Sequence, residues 1–238
     1  MWFDTVVDEL MAAAEPTLYL HPDLGRPSRL ALLPGSFDPL TAAHAAVAEA
    51  AAARVDAVVF VLAVRALPKE GRVSEPLLSD RDRVSILDDY CRSRSRFAVG
   101  LCSHGLIAEQ SCAARVRFPT SQLFLAVGSD KVLQLLDPKW YGDRERSLHE
   151  LFTEAEVLYA PRAGEESAVE EALERPENAE WRGSFHVLHV PPEVATVSSG
   201  LVRELLREGQ DVRHLVPPEV GRALDAGKAL PPPRLSNP

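Results

Sequence analysis

The sequence has little cysteine and no long apolar run. Its three cysteines are an odd number and include no C-x-x-C pair, so neither a disulfide framework nor a structural zinc site is expected. No apolar run approaches the ~20 residues that a membrane span requires. The N-terminus carries acidic residues instead of the basic start of a secretory signal. We therefore expect a cytoplasmic protein with mostly buried thiols, no metal-ligating cluster and no membrane partner.

An excess of positive charge is also missing. Lys and Arg number 26 against 35 Asp and Glu, which gives the 238-residue chain a net charge of −9. Proteins that bind duplex nucleic acid present a basic surface to its phosphates, so we expect no nucleic-acid partner. Any anionic ligand must then be small and held by a few local groups.

Apolar runs alternate with helical stretches along most of the chain. The runs are mostly continuous, which is typical of strands buried on both faces of a parallel sheet. The predicted strands are Arg29–Leu33, Asp56–Val64, Phe97–Cys102, Gln122–Val127, Ala155–Ala160 and Phe185–Val190. The predicted helices between them are Thr41–Arg54, Ser79–Arg94, Gly105–Arg117, Asp130–Leu136 and Glu165–Glu174. This alternation predicts a doubly wound α/β fold with right-handed crossovers, in one domain over residues 29–230.

Both ends of the chain depart from this alternation. Residues 1–28 predict a short amphipathic helix and a proline-rich connector. The apolar stripe of that helix packs either against the domain or against a second subunit, so a homo-oligomer remains open. After Ser198 we expect a helix, an extended piece at Val212–Val216, a helix at Pro217–Ala226 and a loose tail at residues 231–238.

The segment after the first predicted strand has the parts of an anion site. It reads LPGSFDPLTAAH from Leu33 to His44, and it matches neither a dinucleotide fingerprint nor a P-loop. Gly35 permits close approach of the backbone, and the amides at the following helix start favour phosphate. Thr41 and His44 share one face of the first turn. The alternative is a threonine cap and a surface histidine.

A second candidate cradle follows the last predicted strand. The segment VSSGLVR contains Ser198 and Ser199 at a helix start, with Arg203 one turn later. Two hydroxyls, a guanidinium and free amides within one turn favour an oxyanion. The alternative is a plain serine cap with a solvated arginine. In a parallel sheet, this helix start and the one near Thr41 can face the same crevice.

Together the two motifs resemble a known family. GSFDPLTAAH resembles the G-x-F-D/N-P-x-H/T-x-x-H signature of the nucleotidylyltransferase superfamily, and VSSGLVR resembles its later I-S-S-T-x-I-R signature. A third block is LAVGSD from Leu125, then Trp140-Tyr141, then VLYAPR ending at Arg162. It is similar to the central block of nicotinamide/nicotinate mononucleotide adenylyltransferases. The resemblance covers roughly residues 29–227.

The resemblance implies a Rossmann-like fold and transfer of AMP from ATP to a mononucleotide phosphate, with Mg²⁺ held mainly by the ATP phosphates. It implies that the catalytic residues are His44, Thr41 and Arg203. The implied ATP-binding residues are Gly35, Ser36, Phe37, His44, Gly128, Asp130, Ser198, Ser199 and Arg203. The implied acceptor-binding residues are Lys69, Ser103, His104, Trp140 and Arg162.

Three departures from the family pattern leave alternatives open, and one of them is the mixed charge of the acceptor-side loop Gly71–Arg83. Gly200 stands where the signature has threonine, which removes one hydroxyl from the cradle. The loop Cys102–Leu106 lacks the aromatic residue that relatives use to frame a pyridine ring. Many members of the family have a histidine at the position of Thr41, and the enzymes that adenylylate phosphopantetheine resemble this chain in having a threonine there. The alternatives are therefore another phosphate acceptor, of phosphopantetheine type, and a nucleotide-binding sensor without turnover.

Overall fold

A computed structural model describes residues 2–65, 76–162 and 164–227 of the chain. The predicted acceptor residue Lys69 and the predicted tail at residues 231–238 lie outside these ranges. Within them, seven strands form one sheet in the order β1-β4-β3-β2-β5-β6-β7. The strands are Leu18–His21 (β1), Arg29–Pro34 (β2), Ala57–Ala63 (β3), Phe97–Cys102 (β4), Gln122–Gly128 (β5), Ala155–Ala160 (β6) and Phe185–Val187 (β7).

The strand order confirms the predicted doubly wound fold. Strands β2 to β7 run parallel to their neighbours, and β1 pairs with β4 antiparallel at one edge. The order reverses between β2 and β5, which are direct neighbours with Leu30 opposite Leu123. Ligands of open α/β sheets bind at such a switch point, outside the carboxyl ends of the strands. Gly35 lies in the loop that leaves β2, and Asp130 lies in the first turn of the helix that begins directly after β5, at Ser129.

Helices cover both faces of the sheet. Those of the described residues are Trp2–Ala12 (α1), Ala42–Ala52 (α2), Asp80–Arg92 (α3), Ile107–Arg117 (α4), Ser129–Leu136 (α5), Arg144–Glu154 (α6), Glu166–Glu174 (α7), Pro192–Ala195 (α8), Ser199–Arg207 (α9) and Pro218–Asp225 (α10). On β2, Ala31 and Leu33 pack with α1, α2, α3, α9 and α10. Leu30 and Leu32 pack with α4 to α7 on the other face. Burial on both faces explains the continuous apolar strands. None of the helices of the described residues has the length and apolar character needed to cross a bilayer.

Three local predictions were incomplete or wrong. The connector of the N-terminal segment contains the strand β1, whose four residues are too few to show a strand period between Pro16 and Pro22. Helix α6 was missed because it is rich in charge and buries only Leu148 and Leu151. The predicted extended piece at Val212–Val216 is a single 3₁₀ turn at Arg213–Leu215. Its flanking valines are buried, which matched a strand pattern equally well.

The three thiols differ in environment, and this difference predicts their reactivity. Cys91 and Cys102 are buried, whereas Cys112 is exposed, so the expectation of buried thiols holds for two of the three. Burial raises the pKa of the Cys91 thiol to about 12, and the thiolate is the reactive form. At pH 8 we expect a disulfide reagent to modify one thiol of the folded protein, which is Cys112. All three should react in urea. Rapid reaction of all three in the folded protein would contradict this packing.

Candidate active site

The loop after β2 is shaped by one aromatic ring. Gly35 donates its N–H to the Val61 carbonyl at 3.0 Å, and a Cβ added at Gly35 would lie 2.7 Å from the Phe37 ring. Phe37 has a φ of +44° and is 1% exposed. Its ring contacts His44 and Phe60 edge-on, with centroids 5.2 and 5.6 Å apart. Phe37 therefore anchors the loop in the core, and Gly35 is required because the ring leaves no room for a side chain.

Thr41 and His44 form a reciprocal cap at the start of α2. The Thr41 hydroxyl accepts from the His44 N–H at 3.3 Å, and the Thr41 N–H donates to His44 Nδ1 at 3.1 Å. Because a backbone N–H only donates, Nδ1 must hold a lone pair, and the proton of the neutral ring is on Nε2. Thr41 is therefore the cap of α2, as the alternative interpretation of this segment predicted. The same cap sets His44 as a donor through Nε2.

The second motif touches the first directly. Ser199 Oγ donates to the Pro39 carbonyl at 2.8 Å, across 160 positions of sequence. Arg203 Nη1 donates to the Asp38 carbonyl at 2.6 Å and lies 3.6 Å from the Asp38 carboxylate. The Arg203 side chain is 17% exposed, so it is not a solvated arginine. The start of α9 therefore lies against the loop before α2, and we call the surface between these two segments the α2–α9 crevice.

Ser198, the cap of α9, and Ser199, its first residue, make different hydrogen bonds. Ser198 caps the helix by accepting from the Leu201 N–H at 3.1 Å. The proton of Ser199 is directed to Pro39, as described above. At Gly200, an added Cβ would meet only Ser198 Oγ, at 3.6 Å. A Cβ fits there without a clash, so the packing around Cβ gives no reason for glycine at this position.

Two charged residues of this site were missed in the sequence. Asp38 is 6% exposed, and its carboxylate accepts from the backbone N–H groups of Leu77 and Leu78 at 3.1 and 2.9 Å. Arg83 Nη1 donates to the Ser36 carbonyl at 3.1 Å and pairs with Asp80. The D-P pair within the motif was the available signal for Asp38. Arg83 had no signal beyond the charge of its segment.

A separate polar group lies at the end of β5. A Cβ added at Gly128 would lie 2.7 Å from Asp130 Oδ1, which Arg162 Nη2 approaches to 3.5 Å. Ser129 is fully buried; its hydroxyl accepts from the Arg162 N–H at 3.0 Å and bonds to Glu165. The ends of β5 and β6 are thereby joined. Asp130 and Arg162 are each partly exposed, so both remain accessible beside the switch point.

The remaining acceptor candidates are dispersed. Ser103 and His104 follow β4, which β3 separates from β2. Ser103 is fully buried, and its hydroxyl accepts from the Thr17 N–H at 2.8 Å. Trp140 lies in a 3₁₀ turn after α5 and is 42% exposed, with Lys139 Nζ 5.0 Å from its ring. The structure places no direct contact between Trp140 and the α2–α9 crevice.

The described ranges contain no group of three or more His, Cys, Asp or Glu side chains that could hold a metal ion. Asp38, the carboxylate nearest the crevice, already accepts two backbone hydrogen bonds. The described residues do not by themselves fit a protein-held Mg²⁺.

Comparison with known proteins matches residues 32–205 to the family described as cytidylyltransferase-like. This range begins in β2 and ends within α9, so it contains both motifs of the crevice. The chain belongs to the cytidylyltransferase-like family. It is a nucleotidyltransferase.

Curated relatives of this family member share 28–29% of their residues with it. A protein of Trichormus variabilis, named "Probable nicotinate-nucleotide adenylyltransferase", is 28% identical over 80% of this chain and 91% of its own. A protein of the same name from Shouchella clausii is 28% identical over 83% of this chain and 94% of its own length. A protein of Methylocella silvestris, named "Phosphopantetheine adenylyltransferase", is 29% identical over 84% of this chain and 96% of its own length.

The Asp38 carboxylate is predicted to hold the crevice together. Asp38→Ala would leave two backbone N–H groups without their partner and Arg203 without its carboxylate. Removal of one member of a buried ion pair costs about 3 kcal/mol. Urea unfolding should therefore show a loss of about that size.

The matched control is Asp89→Ala, which removes an exposed partner of Arg92 on α3. That loss should stay within ~0.5 kcal/mol. Equal losses in the two variants would show that Asp38 has no special role in the crevice.

Proposed function

We propose that this nucleotidyltransferase transfers AMP from ATP to the phosphate of nicotinate or nicotinamide mononucleotide, giving a dinucleotide and pyrophosphate. The contact between α9 and the loop before α2, at the switch point of the sheet, carries this proposal. It joins the start of α9, with Arg203, to the loop that leads into α2, whose first turn carries His44, and such a combination of donors and charge suits a triphosphate. The relatives from Trichormus variabilis and Shouchella clausii support the choice of acceptor.

The start of α9 is proposed to hold the β- and γ-phosphates. The first amides of a helix have no partner within the helix, and the Arg203 guanidinium, held against Asp38, would add positive charge to the same ligand. Ser198 Oγ accepts from within the helix and keeps its own proton for a phosphate oxygen. The Ser199 hydroxyl donates its hydrogen bond to the Pro39 carbonyl. We therefore propose that Ser199 positions the loop after β2.

His44 is proposed to stabilise the reacting phosphate. An oxygen of the acceptor phosphate attacks the α-phosphorus, the bond to the bridging oxygen of the β-phosphate breaks, and pyrophosphate leaves. The acceptor phosphate is already ionised, so no general base is needed. The protein has to align the reactants and neutralise charge. With Nδ1 held by Thr41, Nε2–H of His44 donates to an α-phosphate oxygen.

The other assignments remain proposals from the resemblance. Gly128 and Asp130 would bind ribose hydroxyls, because they lie at the end of β5 beside the switch point. Arg162, His104 and Trp140 would serve the acceptor, together with Lys69. Mg²⁺ would arrive with ATP, held by phosphate oxygens and water, since the described residues do not form a site for it.

A second acceptor class has one observation in its favour. The relative from Methylocella silvestris is named a phosphopantetheine adenylyltransferase, and its 29% identity to this chain is similar to that of the other two relatives. The proposal is tested by incubating the protein with ATP, Mg²⁺ and each acceptor in turn, and by measuring pyrophosphate and the adenylylated product. Dinucleotide from either pyridine mononucleotide is the expected result. Product only with phosphopantetheine would replace the proposal, and no product with any acceptor would favour a sensor.

His44→Ala should lower kcat about 100-fold or more, because it removes one donor to the charge that develops in the transition state. Steady-state kinetics at saturating ATP measures this effect. His189→Ala is the control, since His189 is exposed after the end of β7. An unchanged kcat in His44→Ala would remove His44 from the catalytic assignment.

Arg203→Ala should raise the KM for ATP more than it lowers kcat. A lost hydrogen bond to a charged group corresponds to at least about a tenfold effect. Arg207→Ala, one turn later and exposed on the same helix, should leave both constants unchanged. If the two variants behave alike, α9 does not bind ATP through Arg203.

A further inference from the structure

The N-terminal helix is fixed to the sheet by an arginine at the end of β3. Arg65 Nη2 donates to the carbonyl oxygens of Leu10, Met11 and Ala13, at 3.4, 2.8 and 2.5 Å. The last carbonyls of a helix lack partners within the helix and carry partial negative charge. A guanidinium at this position therefore satisfies and neutralises the end of α1.

The same guanidinium also contacts His104 in the loop after β4. Arg65 Nη1 lies 3.3 Å from His104 Nε2. Because arginine only donates, Nε2 must accept, and the proton of the neutral ring is then on Nδ1. His104 Nδ1 lies 2.8 Å from Ser103 Oγ, and this oxygen accepts a hydrogen bond from Nδ1–H.

The hydrogen bonds of Ser103 complete the network. Its hydroxyl accepts from the Thr17 N–H at 2.8 Å and donates to the Glu15 carbonyl at 3.3 Å. The hydrogen bonds run from the end of α1 through Arg65, His104 and Ser103 to the connector that follows α1. Two groups that can only donate, Arg65 Nη1 and the Thr17 N–H, fix the direction of the hydrogen bonds between them. His104 has the opposite tautomer to His44.

We propose that Arg65 is a positioning residue, through which the N-terminal segment orients His104 on the acceptor side of the site. The acceptor assignment of His104 rests on the proposed function. The hydrogen-bond network does not. Strands β3 and β4 are parallel neighbours, so Arg65 and His104 lie at the same carboxyl edge as the switch point. Both ring nitrogens of His104 are engaged, so the residue presents its ring plane to a ligand rather than an N–H donor.

The tautomer of His104 gives a test that needs no substrate. We would record two-bond ¹H–¹⁵N correlation spectra of the imidazoles and assign His104 with the His104→Gln variant. The wild-type protein should show Nδ1–H for His104. Arg65→Met should move it toward Nε2–H, because Nε2 then no longer has to accept from arginine and the Ser103 hydroxyl can donate to Nδ1. Arg65→Lys keeps a cation at the end of α1 and should produce the same shift, which covers the case in which Arg65→Met does not fold.

Arg81→Met is the matched control. It removes the exposed pair between Arg81 and Asp4, another tie of α1, without a contact to His104. Its spectrum should match that of the wild type. In kinetic assays, Arg65→Met should raise the KM for the mononucleotide about tenfold, because it removes the hydrogen bond from the charged Arg65 guanidinium that orients the His104 ring. The KM for ATP should stay constant.

Three results would overturn the positioning role. They are Nε2–H for His104 in the wild type, an unchanged tautomer in both Arg65 variants, and equal effects of Arg65→Met and Arg81→Met. Absence of turnover with every acceptor would instead contradict the proposed function, and the spectra would still decide the role of Arg65.

Discussion

The hydrogen bonds from Ser199 and Arg203 to the carbonyl oxygens of Pro39 and Asp38 join two turns of chain that are far apart in sequence. The proposed phosphate site depends on this junction, because the junction joins the donors of two helix starts on one surface. Asp38 strengthens the junction by binding two backbone N–H groups ahead of α3 while it faces Arg203. The sheet makes the junction possible, since its order reverses at β2.

Several residues combine a local structural role with a chemical one. Thr41 caps α2 and, through the same atoms, sets the tautomer of His44. Ser198 caps α9, and in the proposed function it donates to a phosphate oxygen. Arg65 binds the carbonyl groups at the end of α1 and also His104, whose acceptor role is proposed. Helix ends are suited to such double roles because their unpaired backbone groups and charge attract both capping residues and ligands.

Local rules predicted the parts of the site that lie within one turn of helix. The pair Thr41–His44 and the pair Ser198–Arg203 follow from capping preferences and helical spacing. The roles of Asp38 and Arg65 did not follow, because their partners lie about 40 or more positions away in sequence. Strand β1 was missed for the same reason, since an edge strand of four residues is defined by its pairing with β4. The order of the strands was implied only through the resemblance to a family.

The central claim is that one triphosphate contacts both helix starts. The most direct measurement is a crystal structure of the protein with an ATP analogue whose α,β-bridge resists cleavage. We predict phosphate oxygens within about 3.2 Å of His44 Nε2 and of the first amides of α9 in the same molecule of ligand. A triphosphate that lies on another surface, or that touches only one of the two helix starts, would contradict the account.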